Sequence, residues 1–333
     1  MGVSQGSGDR RVKPWADEIQ RHIESWAIQL GPLNWWPRCV YHFTDIRNAA
    51  SVIQSGCLYS RTEAEDRGLV QVNGASPEII QHTIPEHLQY VRLYFRPQTP
   101  TQYRNEGIRP RGQRELGGAH CPVPVYFCFD ALTVLAQDNT EFSNGNMGSP
   151  RALHGSERDF FLSIPFHLVF HNRWFIPEER DEIVFRRNAE VLVPGSLSLD
   201  PALRFVACRS VAERQTLLHL LPTDLRRQWS PRIRLGERGL FFRRWTFVEE
   251  VVVVDDRVIF RFNPNTQTPG PFEVTFSYLE SGSEPGRIWQ GIRSTLNTQL
   301  SFRVPDALWG ITALHLDDAL AFAGRLVFEE KPF

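Results

Sequence analysis

The sequence predicts an α+β protein with a mixed core and a mostly β carboxy-terminal part. Apolar runs such as residues 123–129 have the length and composition of buried strands, and segments with helical periodicity separate them. Near residue 235 the pattern changes, because two apolar runs flank Asp255-Asp256-Arg257 in the manner of a β-hairpin. We therefore expect helices and strands to alternate in the first part and strands to dominate the second.

Three segments follow from this division. Residues 1–38 comprise a polar tail and a helix over residues 14–30, where Trp and Ile recur at helical spacing before Gly31-Pro32 ends the helix. Residues 39–237 form the mixed core, and residues 238–333 form a β-rich domain whose role the sequence leaves open.

The core segment contains helix boundaries and strand signals in alternation. Asp45 is a typical N-cap residue for a helix over residues 46–54, and Ser55-Gly56 is a typical end for that helix. The predicted core strands are residues 39–44, 90–95, 123–129, 189–193 and 205–208. The elements predicted for the C-terminal part are strands at residues 247–254, 258–262, 272–279, 299–304 and 326–328, and a helix at residues 317–323.

The composition is that of an ordinary globular protein, with 41% hydrophobic and 23% charged residues. No apolar run reaches the length of about eighteen residues that a membrane-spanning helix needs, so no membrane contact is expected. The formal net charge of −1 excludes a globally basic DNA-coating protein but not a local basic groove. The five cysteines have neither zinc-site nor disulfide-framework spacing, which predicts a cytoplasmic protein without a bound metal.

Three short motifs could supply the parts of a nucleotide site. His42 and Thr44 lie two apart in a predicted strand, so both side chains face the same way and could hydrogen-bond a ribose diol. Tyr94 and Phe95 offer rings on which a flat heterocycle could stack, and Glu190 opens a strand in polar company. Each motif also has a purely structural explanation: a hydrogen-bonded strand histidine, core packing of the rings, and a salt-bridged glutamate.

An arginine-rich segment includes the second motif. Residues 92–114 interleave aromatic rings with arginines, which suits single-stranded nucleic acid because bases stack on rings while cations neutralise phosphates. The arginines are Arg92, Arg96, Arg104, Arg109, Arg111 and Arg114. The alternative is a solvated loop in which these arginines have no common role.

Together, and in this order along the chain, the motifs resemble those of the DarT family of DNA ADP-ribosyltransferases. The similarity extends over residues 39–221 in five blocks, which are residues 41–48, 90–100, 122–127, 142–145 and 186–194. The resemblance implies an ADP-ribosyltransferase fold with a split β-sheet, in which NAD⁺ donates ADP-ribose to a thymine or guanine base of single-stranded DNA. It also implies a toxin or phage-defence effector that is opposed by a macrodomain antitoxin of the DarG kind.

The resemblance assigns binding roles residue by residue. His42 and Thr44 would hold the nicotinamide-side ribose, with Asn48 nearby on the following helix. Tyr94 and Phe95 would line the nicotinamide pocket. The residues expected to contact DNA are Arg92, Tyr103, Arg104, Asn144, Gly145 and Arg187.

The catalytic residues are matched less completely. Glu190 would be the carboxylate that stabilises positive charge on the ribose after nicotinamide leaves. The family usually has a Pro-Arg pair in the second block, whereas this chain has Pro97-Gln98, with Arg96 just before it as the cofactor-binding arginine. The family's essential arginine between the first two blocks is matched by Arg61 or Arg67, and we take Arg61.

Two other functions are compatible with the sequence. One is an ADP-ribosyltransferase that modifies RNA or protein, and the other is a nucleic-acid-binding module that kept the fold without catalysis. Incubation with labelled NAD⁺ and separate pools of single-stranded DNA, RNA and protein would distinguish the three functions.

Overall fold

The computed structural model describes residues 11–72, 84–115, 120–237, 239–280, 287–295, 298–304 and 309–327. Residues 1–10 of the predicted tail, and residue 238 at the predicted domain boundary, lie outside these ranges. Over the described ranges the structure contains no helix with the length and hydropathy needed to cross a bilayer.

The core is built on one mixed sheet. The strands of this part are β1 (Cys39–Asp45), β2 (Cys57–Tyr59), β3 (Tyr90–Tyr94), β4 (Pro124–Asp130), β5 (Glu141–Ser143), β6 (His154–Gly155), β7 (Glu190–Pro194), β8 (Ser196–Ser198), β9 (Leu203–Cys208) and β10 (Ile233–Leu235). Eight of them form a sheet in the order β10-β9-β4-β1-β3-β7-β5-β6, while β2 pairs with β8. Neighbours in the sheet therefore come from distant parts of the chain.

Short helices connect the strands. Those in the described residues are α1 (Ala16–Gln29), α2 (Ile46–Ser55), α3 (Arg61–Asp66), α4 (Pro100–Asn105), α5 (Ala131–Leu135), α6 (Arg158–Ser163), α7 (Phe166–Val169), α8 (Arg180–Arg187), α9 (Val211–Leu220) and α10 (Thr223–Trp229). The ends of α2 confirm the sequence prediction: the Asp45 side chain accepts the N–H of Arg47, and Gly56 ends the helix at a φ of 67°.

Alternation along β3 decides which side chains reach the site. Val91 and Leu93 point into the main hydrophobic core, so Arg92 and Tyr94 point to the opposite face of the sheet. On β7 the same alternation places Glu190 on that opposite face, because Glu190 is paired directly with Tyr94. One face of these strands thus holds the core and the other carries polar groups.

The sheet is split between β1 and β3. β1 pairs with β4 over its whole length, whereas in the described residues it pairs with β3 only at Tyr41 and Tyr94. Beyond that pair, the His42 ring rather than a further strand pair connects the two strands, with Nδ1 3.1 Å from the carbonyl oxygen of Arg92. The split sheet that the resemblance implied is therefore present.

The C-terminal part is a sandwich of two sheets. Its described strands are β11 (Val248–Val254), β12 (Arg257–Phe262), β13 (Phe272–Glu280), β14 (Arg287–Arg293), β15 (Gln299–Arg303), β16 (Trp309–Leu316) and β17 (Ala319–Val327). The sheets have the orders β11-β12-β15 and β14-β13-β16-β17, a connectivity of the immunoglobulin-like type. Phe276 and Phe302, one from each sheet, stack with ring centroids 4.4 Å apart in this second core.

The helix predicted at residues 317–323 is wrong. Asp317 and Asp318 form the turn of the β16–β17 hairpin, and Asp317 adopts a positive φ of 53°. From Ala319 onward the chain pairs with β16, so cross-strand pairing and burial override the helical propensity of this Ala- and Leu-rich run. The strands β14 and β16 also lie where no strand was predicted.

A buried ion network joins the core to the C-terminal part. The Arg209 guanidinium donates to Glu213 over 2.5 Å and to Glu106 over 3.4 Å, and all three side chains are buried. Glu106 also accepts the backbone N–H groups of Phe242 and Arg243, at 3.0 and 2.8 Å. The network therefore fixes the segment that leads into the sandwich.

Arginines of the arginine-rich segment serve the same interface. Arg109 pairs with Glu115 at 3.0 Å, and its guanidinium lies 4.2 Å from the ring centroid of Trp245. Arg114 pairs with Asp318 in the β16–β17 turn. These two arginines are thus engaged within the protein, which corrects the expectation that the segment as a whole forms a nucleic-acid groove.

Buried histidines predict a loss of stability in acid. Nε2 of His120 lies 2.8 Å from the carbonyl oxygen of Gly107, and burial lowers the pKa of His120 to about 4. An unfolded histidine has a pKa of about 6.5, so between these values the unfolded state binds more protons and stability falls as the pH drops. We expect a lower midpoint of thermal unfolding at about pH 5 than at about pH 7.5, and a smaller difference in His120→Gln.

The matched control for this prediction is His167→Gln, since His167 is exposed. It should keep the wild-type difference between the two pH values. An identical pH dependence in the wild type and both variants would show that His120 does not contribute.

Candidate active site

Glu190 is the buried acid of the site, and Arg92 holds it. The Glu190 side chain is 1% exposed, and Arg92 contacts both carboxylate oxygens, through Nε to Oε2 and through Nη2 to Oε1 at 2.6 Å. Such a bidentate, charge-assisted pair is among the strongest contacts that side chains form. Burial acts to lower the pKa of Arg92, but Glu190 outweighs burial and the net shift is upward, so the guanidinium stays charged.

Strand register brings these residues together from positions 98 apart in the sequence. Tyr94 is directly opposite Glu190, and Arg92 lies two residues earlier on the same face of β3. The Tyr94 ring stacks on that of Phe43 from β1, with centroids 6.0 Å apart. Burial, and then Glu190, raise the pKa of Tyr94 to about 12, so its hydroxyl stays protonated.

The last residue of β5 and the loop after it support Glu190 from another side. The backbone N–H of Glu190 donates to Ser143 Oγ at 2.8 Å, and the N–H of Met147 donates to Glu190 Oε1 at 3.3 Å. With the two Arg92 donors, the carboxylate has three hydrogen-bond donors. Its orientation is therefore fixed before a substrate binds.

His42 contacts the backbone of Arg92 from β1, on the face of that strand opposite to Phe43. Its Nδ1 faces the Arg92 carbonyl, and because a carbonyl oxygen only accepts, Nδ1 carries the proton and Nε2 is an acceptor. Burial lowers the pKa of His42, which keeps the ring neutral. His42 and Glu190 thus both contact Arg92, one through its backbone and one through its side chain.

Thr44 lies two residues after His42 on β1, and Asn48 from α2 holds its side chain. Asn48 Nδ2 donates to Thr44 Oγ1 at 3.1 Å and to the carbonyl oxygen of Val72 at 2.8 Å. Asn48 Oδ1 accepts the N–H groups of Gln71 and Val72 at 2.8 and 3.0 Å. Asn48 therefore connects the His42–Thr44 strand to the segment that runs into residues 73–83, which lie outside the described ranges.

Phe95 and Arg96 do not reach this site, which corrects both expectations. Phe95 is buried in the main core, where its ring packs edge-on against Phe166 with centroids 5.2 Å apart. Arg96 is 1% exposed, and its guanidinium donates to the carbonyl oxygen of His171 at 2.5 Å and lies 4.4 Å from the ring centroid of Trp36. Both side chains are enclosed by the fold, so neither contacts a dinucleotide in this conformation.

The arginine that the structure places beside Glu190 is Arg92, whereas Arg61 lies elsewhere. Arg61 begins α3, where its Nε pairs with Glu65 at 2.5 Å. Arg92, which we expected at the DNA, is the arginine that the structure pairs with Glu190. The available sequence signal was the alternation of Arg92 and Tyr94 on one face of a strand, but its partner depends on a register that the sequence does not encode locally.

Asn144 and Gly145 shape the loop that supports Glu190. Asn144 Oδ1 accepts the N–H of Leu153 at 3.1 Å. A Cβ atom on Gly145 would lie 2.3 Å from the ring of Phe185, so packing against α8 requires a glycine there. These contacts give both residues a structural role in the loop, and the DNA contact that we expected stays a prediction.

Tyr103 and Arg104 lie on α4 near the C-terminal part. The Tyr103 ring packs against Trp245 and Phe242 with centroids 5.0 and 5.2 Å apart, although 38% of the residue stays exposed. Arg104 is exposed beside it. The exposed surface of α4 thus presents the Arg104 guanidinium and part of Tyr103 to solvent.

Arg187 lies at the C-terminal end of α8, just before Glu190. Its Nη2 is 2.9 Å from His171 Nδ1, and its guanidinium lies 5.1 Å from the ring centroid of Phe175. Trp174, in the same loop, is 82% exposed. An exposed indole therefore lies one residue before Phe175, the ring that the Arg187 guanidinium contacts.

A second polar cluster, which we did not predict, lies on the Glu190 face. Glu141 accepts the Tyr90 hydroxyl at 2.8 Å and is 2.6 Å from His154 Nδ1. The rings of His154 and His87 are 5.3 Å apart. We call Tyr90, Glu141, His154 and His87 the β5–β6 cluster. Sequence reasoning missed it because only the β5–β6 pairing brings Glu141 and His154 together.

Among the residues that the structure describes, no group of three or more His, Cys, Asp or Glu side chains could hold a metal ion. A cavity of about 450 Å³ is lined by Ser60, Tyr90 and Pro194, near the ends of β3 and β7. The Arg92 side chain, which is 32% exposed, lies between the buried Glu190 carboxylate and solvent-accessible space.

The chain is similar to known proteins over its core. The family model of DarT, described as an ssDNA thymidine ADP-ribosyltransferase, matches residues 41–236. Three solved structures of DarT from Thermus sp. 2.9, in complex with ADP-ribosylated ssDNA, NAD⁺ and carba-NAD⁺, are each 18% identical and cover 62% of this chain. Their TM-scores are 0.48, 0.46 and 0.46, with 97%, 98% and 98% of those chains covered. No curated protein matches the chain.

Proposed function

Because the chain belongs to the DarT family of single-stranded DNA thymidine ADP-ribosyltransferases, we propose that its reaction occurs where β1 and β3 separate, with Glu190 as the catalytic carboxylate. The chain is an NAD-dependent ADP-ribosyltransferase that acts on single-stranded DNA. One observation carries the placement: the backbone of Arg92 bonds His42 while its side chain bonds Glu190.

The chemistry exchanges one glycosidic bond for another. The bond between ribose C1′ and the nicotinamide nitrogen breaks, neutral nicotinamide leaves, and a nitrogen of the DNA base bonds to C1′ with loss of a proton. The transition state has oxocarbenium character, so a fixed carboxylate shielded from water stabilises it. Glu190 is such a group, because it is buried and held by three donors.

His42 and Thr44 of β1 hold the NAD⁺ donor. His42 accepts a hydroxyl of the nicotinamide-side ribose through Nε2, and Thr44 offers its own hydroxyl to the same ribose. Asn48 orients Thr44 through the 3.1 Å hydrogen bond between them. Tyr94 presents its ring to the nicotinamide beside Glu190. The lowered pKa of His42 supports this arrangement, since a neutral ring keeps Nε2 as an acceptor.

The loop before α8 and the exposed side of α4 bind the acceptor strand. Trp174 offers an exposed ring for base stacking, and Arg187 and Arg104 offer positive charge to phosphates. A single strand suits this surface because its bases are already unstacked from a duplex. Thymine is the acceptor that the family description supports, with guanine as the alternative.

A labelled-donor experiment tests this function. Protein and radiolabelled NAD⁺ are incubated with single-stranded DNA, duplex DNA, RNA or lysate protein, and modified nucleosides are identified by mass spectrometry. We expect label on single-stranded DNA and an ADP-ribosylated thymidine. Label on RNA or protein alone would replace DNA as the acceptor, and an ADP-ribosylated guanosine would replace thymine.

In the cell, the modification makes the protein a toxin or phage-defence effector. A bulky anionic adduct on a base blocks pairing, so unopposed activity stops replication. The proposed setting is the cytoplasm, with a macrodomain antitoxin that removes the adduct and with no metal in the reaction. Induced expression should arrest bacterial growth, and co-expression of a macrodomain ADP-ribosyl hydrolase should restore it. Arrest by Glu190→Ala as strong as by the wild type would contradict this role.

Replacing Arg92 and replacing Arg61 should have different effects on the rate of transfer. Arg92→Gln removes the bidentate partner of Glu190, and we expect it to lower the rate of transfer by about 10²-fold or more. Arg61→Gln removes a contact within α3, so its loss should be at least tenfold smaller (an estimate of about 1.4 kcal/mol in activation free energy). Initial rates with saturating NAD⁺ and oligonucleotide measure both. The reverse order would restore Arg61 as the catalytic arginine.

A further inference from the structure

We propose that His154, held by Glu141, is the general base that takes the proton from the acceptor nucleobase. The inference rests on the proposed function, because it concerns the second half of the transfer reaction at Glu190. It assigns a chemical role to the β5–β6 cluster, whose residues belong neither to the sequence motifs nor to the proposed donor-binding residues of β1 and α2.

Register places this cluster next to the catalytic carboxylate. β5 pairs antiparallel with β7, with Glu141 opposite Leu192. Glu190 lies two residues before Leu192, so Glu141 is its diagonal neighbour on the same face, at a spacing of about 7–8 Å. Arg92 is also opposite Leu192, on the other side of β7, so the cluster and the Arg92–Glu190 pair share one surface.

The hydrogen bonds of His154 suit it to accept a proton. Nδ1 is 2.6 Å from Glu141 Oε2, and because a carboxylate accepts, Nδ1 carries a proton; in the neutral ring Nε2 then has the lone pair. The Tyr90 hydroxyl holds the other oxygen of Glu141 at 2.8 Å. The His154 side chain is 32% exposed, so a bound base can reach it. A carboxylate that orients an imidazole in this way is the arrangement of many general bases.

The reaction needs such a base at the acceptor and not at the donor. Nicotinamide leaves NAD⁺ as a neutral molecule and requires no proton. A thymine in DNA has one ring N–H, and that N–H bond breaks as its electron pair forms the bond from nitrogen to C1′. The proton passes to His154 Nε2 and then to solvent. Glu190 is occupied by three donors and by the positive charge on the ribose, so it serves the other half of the reaction.

Several groups set the electrostatic surroundings of His154. Those facing it are Glu141 from β5, Tyr90 from β3 and His87 from the turn before β3, and the charge of Lys13 also acts on Glu141. Burial, and then Glu141, raise the pKa of Tyr90 to about 12, so Tyr90 stays a donor. Burial, and then His154, lower the pKa of His87; Arg92 and Glu190 also act on His87.

Two readouts separate a base from a structural residue. The first is release of nicotinamide from NAD⁺ without DNA, which needs no acceptor deprotonation, and the second is transfer to a thymine-containing oligonucleotide. We expect His154→Ala and Glu141→Gln to lower transfer by about 10²-fold while nicotinamide release changes by less than about threefold. The matched control, His167→Ala at an exposed histidine, should leave both rates unchanged.

The pH profile and chemical rescue complete the test. Wild-type transfer should reach a plateau at neutral pH, whereas transfer by His154→Ala should keep rising with pH as the acceptor ionises by itself. Added imidazole should restore part of the transfer in His154→Ala. Equal losses in both readouts, an unchanged pH profile or wild-type transfer in His154→Ala would overturn the inference. If the wild type places no label on DNA, the proposed function itself fails, which is a separate result.

Discussion

Replacing Glu190 by glutamine should lower the rate of ADP-ribose transfer to single-stranded DNA by about 10²–10³-fold or more. The amide keeps the size of the side chain but loses the negative charge that stabilises the oxocarbenium-like ribose. It also leaves the Arg92 guanidinium without its anionic partner. Because the loss concerns the first bond cleavage, nicotinamide release without DNA should fall together with transfer. Initial rates of both reactions measure the effect.

The matched control removes one negative charge from a glutamate at the surface, far from Glu190 in the sequence. Glu249→Gln changes a glutamate that pairs with Arg243 at the surface of the C-terminal part, and it should retain the wild-type rates. The thermal midpoint of Glu190→Gln should stay close enough to the wild type that the chain is folded at the assay temperature. A folded Glu190→Gln protein with more than a third of the wild-type transfer rate would remove Glu190 from the catalytic centre.

Arg209→Ala should lower the free energy of unfolding by about 3–5 kcal/mol, since it leaves two buried carboxylates without their cation. Glu106 and Glu213 both contact the Arg209 guanidinium, and all three side chains are fully enclosed. Urea denaturation followed by fluorescence measures the change. Arg303→Ala is the control: Arg303 pairs with Asp256 at the surface, where such pairs contribute about 0–1 kcal/mol.

A double variant separates the charge effect from lost packing. In Arg209→Met with Glu213→Leu, an apolar pair replaces the cation and one carboxylate, so part of the lost stability should return. An unfolding free energy of Arg209→Ala within about 1 kcal/mol of the wild type would mean that water reaches the network. The same network suggests why a catalytic core carries this sandwich: Glu106 binds the N–H groups of Phe242 and Arg243, so a chain cut at residue 237 would lose these donors.

Local sequence signals gave reliable predictions where a short stretch decides the structure. The α2 helix begins after Asp45 and ends at Gly56 because an N-cap side chain and a left-handed glycine act within a few residues. The strand at Tyr90–Tyr94 was predicted for a similar reason, since a short run rich in aromatic and aliphatic residues precedes Pro97 there. The residues that resemble a known family also occur in short blocks, and the family match covers them.

Predictions failed where distant contacts decide. The run at residues 317–323 favours a helix by composition, but pairing with β16 makes it a strand. Arg96 lies two residues after Tyr94, the last residue of β3, and would share its face if the strand continued. The strand ends at Tyr94, and Arg96 is buried against Trp36 and the carbonyl oxygen of His171. Arg109 and Arg114 were expected to be available to a nucleic acid, but Trp245 and Asp318, both distant in the sequence, are their partners.

The sequence alone determined the fold class and the family, and it predicted Glu190 as the acid of the site, because periodicity, caps and short motifs are local properties of a chain. Only the tertiary structure decided that Arg92 holds this acid, that Glu141 and His154 stand beside it, and that Arg96 is buried. The physical reason is that a partner across a sheet depends on strand order and register, and one step of register would turn each of these side chains to the other face.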